Sequence, residues 1–270
     1  MSNIFQYSFI KNAFLVGMLI SIIVPLIGTV VINRKTSTIG DALSHTSLAG
    51  IFLGVILGIN PLISGVIISV IAAFLIEFLR EKFPKNGDMA TAIVMSLGVG
   101  LSSLLSDFVT GAQNFESFLF GSIVAITRSD ILIISILSII SIVLYFYLYY
   151  ALVFISVDKT GARLSGVNIR LSEYLFTFLL AIVIAISARI VGVLIVSSLM
   201  ILPVATAMLV SNNYKQTVIR SVIFGLIFFS MGLMLAIYLN LKPGGSIVMV
   251  SVIGLFLVLI MKQLKLNKWA

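Results

Sequence analysis

The chain contains a single histidine, and it stands four residues after an aspartate inside an apolar stretch. Asp41 and His45 belong to the run Gly40-Asp41-Ala42-Leu43-Ser44-His45. On a helix this spacing stacks the two side chains on one face, about 40° apart. A carboxylate and an imidazole so placed bind a divalent cation jointly, and both suit zinc and the neighbouring transition metals. Two ligands make a weak, fast-exchanging site, which a conduit needs and a storage site does not. Ordinary roles exist for the same residues: Asp41 could cap a helix start, and His45 could hydrogen-bond a neighbouring helix. Ionisable groups inside a membrane-spanning segment are nevertheless expensive, and they face a cavity or a partner.

The helix that carries them also holds Gly50, Gly54 and Gly58. Small residues four apart let helices pack closely in lipid. At about 100° per residue the glycine stripe lies roughly opposite Asp41 and His45. One face is thus suited to packing and the other to lining a passage.

Composition places these elements in a bilayer. The 270 residues are 60% hydrophobic and 10% charged, with a mean hydropathy of +1.24, against about 25% charged residues in soluble domains. A spanning helix needs about 20 apolar residues to cross roughly 30 Å of hydrocarbon. Apolar segments at 13–32, 42–59, 61–79, 90–106, 131–155, 172–188, 190–210, 217–239 and 245–261 predict an all-α polytopic membrane protein. The expectation is about nine spans, with eight and ten as alternatives. Phe115–Thr127 is too short to cross and reads as a re-entrant or interfacial helix. The first apolar run is too long for a signal-peptide core and lacks a small-residue cleavage site. No polar linker divides the chain, so 1–270 reads as one transmembrane domain.

The net charge of +8 follows membrane topology. Placing the connections near 34, 80–88, 156–171 and 211–216, with the C-terminal end, in the cytoplasm puts 13 of the 17 bases on that side. Lys11, Arg128, Arg189 and Lys242 remain on the other. This is the asymmetry of membrane proteins, and no basic cluster is long enough to track a nucleic-acid backbone. With no cysteine, one histidine and acids mostly at span ends, no catalytic constellation assembles. No GxxxxGK[ST] loop is present to bind ATP. A secondary transporter, the rival reading, usually has internal repeats and several charges near the midplane, and neither is evident here.

Two further stretches stand out. Ser156–Arg170 is the longest polar interruption, and within it Ser156–Val167 has enough small and amphipathic residues for a short surface helix, or for a plain solvated connection. Pro203 lies inside the 190–210 segment, where it kinks the helix or frees a carbonyl, as structure or as part of a gate.

Gly40-Asp41-Ala42-Leu43-Ser44-His45 resembles the signature near the start of the metal-cation ABC permeases, the zinc and manganese importers. The resemblance continues through Leu119-Phe120-Gly121-Ser122-Ile123, the Asp158–Val167 loop, and Val191-Gly192-Val193-Leu194 leading to Leu202-Pro203-Val204-Ala205-Thr206-Ala207. These blocks occur in the family's order and cover nearly the whole chain. The resemblance implies an ABC importer permease fold in a bacterial plasma membrane, present as a homodimer. It implies two cytoplasmic ATPase subunits that bind the ATP and an extracytoplasmic metal-binding protein that delivers the ion. No permanent cofactor is implied; the metal is cargo. Asp41 and His45 become metal ligands on the pathway. Asp158, Gly161, Ala162, Ser165 and Gly166 become the helix that couples to the ATPase. Many relatives carry an acidic residue just after Asp158, where this chain has Lys159-Thr160. The run His45-Thr46-Ser47-Leu48-Ala49-Gly50 looks more like the zinc members than the manganese members.

Overall fold

The computed structural model describes residues 8–83, 86–109, 118–121 and 127–266. Among these, all regular structure is helical: α1 Ser8–Asn33, α2 Ile39–Leu57, α3 Pro61–Lys82, α4 Gly87–Ser106, α5 Arg128–Val157, α6 Lys159–Leu164, α7 Ile169–Val191, α8 Val196–Val210, α9 Tyr214–Leu239 and α10 Pro243–Leu266. Local chemistry sets the starts. Asn60 accepts from the Leu62 and Ile63 N–H groups while Pro61 opens α3, where a missing N–H costs nothing. Thr127 and Asp130 form a reciprocal capping box at the head of α5. Asn168 and Asn213 cap α7 and α9 more simply, each side chain accepting one N–H, from Leu171 and Gln216.

Eight of these helices are long and apolar enough to cross a bilayer. The predicted span at 190–210 takes a different form. Gly192 stops α7 at φ 100°, and the Val193 and Leu194 N–H groups donate to the Phe118 and Leu119 carbonyls at 3.1 and 3.3 Å. The helix resumes only at Val196 and lasts 15 residues, or about 22 Å at 1.5 Å per residue. The chain still changes sides here. Gly244, at the head of α10, packs on Val191 O, whereas Arg220 of α9 donates to the Val210 carbonyl at the far end of α8. Pro203 lies buried inside α8. Of the expected re-entrant segment, Leu119 belongs to a helical turn at 118–120, and 115–117 and 122–126 lie outside the described residues.

α1, α2 and α7 form the interior of the bundle, while α4 and α10 are mostly surface. α2 is held between α3 and α4, with α7 and α8 also against it. Gly50 fits against Ser64 O and Gly65, and Gly54 against Pro61 and Ser64, so these two glycines do pack α2 onto α3. Gly58 departs from the packing role expected of it. It sits at φ 67° as the left-handed cap of α2, and a Cβ there would meet nothing within 4 Å.

Candidate metal pathway and coupling helix

The neighbours of α2 set the depth of the Asp41–His45 pair. Ser102 Oγ of α4 donates to the His45 carbonyl at 3.0 Å. Gly98 of the same helix faces Thr46 so closely that a Cβ would stand 2.8 Å from its backbone nitrogen. Gly98 lies about 17 Å along α4 from its start, at 1.5 Å per residue. His45 is therefore level with the middle of a spanning helix, although only its second turn of α2 has been reached. On the opposite side, a Cβ at Gly40 would come within 3.0 Å of Ser197 Oγ. The start of α8 thus packs on the start of α2.

Burial then sets the pair apart. From Ile39 to Gly54, every residue of α2 is buried within the protomer except Asp41, His45 and Leu53. The two ionisable groups, one turn apart, are thus half-buried side chains on a helix segment whose other residues, Leu53 apart, are sealed in. No group of three or more His, Cys, Asp or Glu able to hold a metal occurs among the described residues.

At the basic end of the bundle, α6 is a six-residue helix between α5 and α7. Asp158 Oδ1 accepts the Thr160 and Gly161 N–H groups at 3.0 and 2.9 Å and so starts it. Ala162 anchors it, fully buried against Ile155, Val167 and Ile169. Ser165 N–H bonds the Gly161 carbonyl, and Gly166 turns the chain away at φ 82°. Leu164 is left 84% exposed at this polar face. The structure does not bring α6 to α2; α6 touches α5 and α7.

Between α6 and the ends of α1, α3, α4 and α7 lies a cavity of about 960 Å³. Its lining includes Arg34, Arg80, Lys159, Arg163 and Arg170 together with Glu77, Glu81, Asp88 and Glu173. Of the 13 bases that the charge pattern assigned to one side, six line this cavity: Arg34, Lys35, Arg80, Lys159, Arg163 and Arg170. Among those bases, Glu77 is 9% exposed, lies 3.3 Å from Arg80 and accepts a 2.6 Å hydrogen bond from Thr177 of α7. Asp130, in the first turn of α5 at the opposite end, is buried and 3.6 Å from Arg189. The only hint was a carboxylate within reach of a base near a span end.

Residues 6–263 match the ABC 3 transport family. The chain belongs to that family. A manganese transport system membrane protein of Listeria monocytogenes is 30% identical over 95% of this chain and 92% of its own length. A high-affinity zinc uptake system membrane protein of Haemophilus influenzae is 31% identical over 91% and 95%. Among solved structures, PsaBC from Streptococcus pneumoniae in complex with Fab superposes with a TM-score of 0.84 at 26% identity, covering 94% of this chain and 91% of that one. As a member of the ABC 3 family this is a multi-pass membrane transport component, and the expectation of an ABC permease fold is met.

Proposed function

We propose that this chain is the permease subunit of an ATP-driven importer of divalent transition-metal ions. The observation that carries the reading is the half-buried Asp41–His45 pair at mid-membrane depth, on a helix segment whose other residues, Leu53 apart, are sealed inside the protomer. Two ligands fall short of the four that zinc prefers. A second copy facing the first across a two-fold axis would supply two more, so the homodimer and the pathway are one proposal. Zinc stands first on the His45–Gly50 run, and manganese second, since Asp plus His serves both ions. The relatives named for manganese and for zinc differ by one percentage point in identity, 30% and 31%.

Residues 1–270 act as one transmembrane domain without an ATPase of their own. Asp158, Gly161, Ala162, Ser165 and Gly166 build the knob that docks on the cytoplasmic ATPase, with Leu164 as its exposed apolar tip. An extracytoplasmic metal-binding protein delivers the ion. The test is uptake of radiolabelled zinc and manganese into liposomes containing the permease with or without its ATPase subunits. Uptake should require ATP and both kinds of chain. ATP-driven accumulation by the permease alone would refute the reading.

A further inference from the structure

The ion pairs around the cytoplasmic cavity are not evenly matched. Arg80 pairs with Glu77 at 3.3 Å, Lys159 with Glu173 at 2.8 Å and Arg170 with Glu81 at 3.2 Å. Arg34, in the connection between α1 and α2, has no such bond. Its guanidinium lies 5.0 Å above the Phe176 ring, and its Nε and Nη2 are buried without a hydrogen-bond partner among the described residues. Glu173 and Glu77 are the carboxylates that act on it electrostatically, and burial outweighs them, lowering Arg34 from its ordinary value. A guanidinium remains charged regardless, and a buried donor left unmade carries a desolvation cost. The arrangement is therefore one bond short of its best state.

Glu173 is placed to supply that bond. It lines the same cavity as Arg34 and Lys159, one turn before the Phe176 ring that Arg34 covers, and it is bonded to Lys159 at 2.8 Å. That bond is the weaker anchor, because the Lys159 side chain is 56% exposed and exposed ion pairs contribute little. Arg34 in turn lies seven residues before Asp41 in the same chain.

We infer that Glu173 is a two-position latch, paired with Lys159 when α6 lies as seen here and with Arg34 when α6 is drawn away by its docking partner. The exchange ties the position of the coupling helix to the segment leading into α2. Arg34 and Glu173 are positioning residues; neither touches the ion. The inference rests on the docking and pathway roles proposed above.

The test uses the permease–ATPase complex in liposomes, with ATP hydrolysed and metal accumulated measured together. Arg34→Gln and Glu173→Gln should leave the complex co-purifying yet raise the ATP consumed per ion by on the order of fivefold or more, the lower end of ordinary coupling free energies. The double variant should be no worse than either single one, since both remove the same bond. A wild-type ratio in either variant overturns the latch. A second measurement does not depend on those variants folding. The native chain has no cysteine, so Arg163→Cys with Arg170→Cys, on α6 and α7 one turn from Lys159 and Glu173 and lining the same cavity, can be joined by a reducible thiol cross-linker that leaves the latch residues in place. Coupled uptake should stop on cross-linking and return on reduction; uptake that persists while cross-linked refutes the exchange. Failure of the docking reading looks different, because the wild-type permease would then not co-purify with the ATPase.

Discussion

The two ends of the bundle are closed by different materials. At the end carrying Arg189 and Lys242, backbone meets backbone. Gly192 lies against Gly121 N and Leu119 O, Gly244 against Val191 O and Phe120 O, and Arg189 is held to the buried Asp130. At the basic end, side-chain ion pairs surround an open cavity. Exposed side chains exchange rotamers in picoseconds to nanoseconds, whereas main-chain rearrangements take far longer. Only the basic end is built for inexpensive rearrangement, and it is the end where an ATPase would act.

The largest effect should come from between the two ends. Asp41→Ala and His45→Ala should each reduce metal uptake tenfold or more, because a ligand worth about 1.4 kcal/mol changes affinity by that factor. Both variants should still insert and bind the ATPase. His45→Gln is the sharper variant, since an amide keeps hydrogen bonding but is a poor ligand for zinc. Normal uptake of zinc and manganese by His45→Gln would return the histidine to a packing role.

Next in size is a paired glycine experiment on the contrast itself. Gly192 and Gly166 both have positive φ, 100° and 82°. A Cβ on Gly192 would strike Gly121 N and Leu119 O, whereas one on Gly166 would meet nothing within 4 Å. Gly166→Ala should therefore cost only the backbone strain, about 1 kcal/mol. Gly192→Ala adds a clash with main chain that has nowhere to move, for a total above about 3 kcal/mol. Thermal unfolding in detergent would register the difference, and equal losses at the two sites would mean that the outer junction is softer than its contacts imply.

Most of the fold was legible in the sequence, because each spanning helix is a long apolar run and lipid permits few alternatives. The Asp41–His45 pair was legible for the same reason: polar groups stand out in such a background. What escaped was set by contacts distant in sequence. A span boundary near 189 was legible, but nothing among these valines and isoleucines announces that the chain leaves the helix until Val196; that gap is fixed by the Phe118 and Leu119 carbonyls. Glu77 stands at a span end among bases, but the Thr177 hydroxyl that bonds it lies a hundred residues on, where no local pattern points to it. Gly58 shares the four-residue spacing of its stripe but falls where the helix ends, so spacing alone could not separate packing from capping.

The smallest expected effects lie within the basic end and separate its fixed bonds from its exchangeable ones. Thr177→Val removes the donor to Glu77 across α7 and α3 without changing side-chain volume much. The carboxylate keeps Arg80 at 3.3 Å, but it loses its shortest hydrogen bond at a side chain that is largely buried. A buried hydrogen bond to a charged group is worth roughly 1.5–3 kcal/mol, and stability should fall by that order. Arg170→Ala breaks the Arg170–Glu81 pair at 3.2 Å, also across α7 and α3. Both of its side chains are well exposed, so Coulomb attraction is screened and side-chain ordering offsets much of it; the loss should stay within about 0.5 kcal/mol. The two variants thus cut links between the same helices at different depths, and their unfolding midpoints in detergent give a direct ranking. A larger loss for Arg170→Ala would mean that the rim of the cavity holds α3 to α7, and that the buried Glu77–Thr177 bond is not the fixed point about which the outer ion pairs exchange.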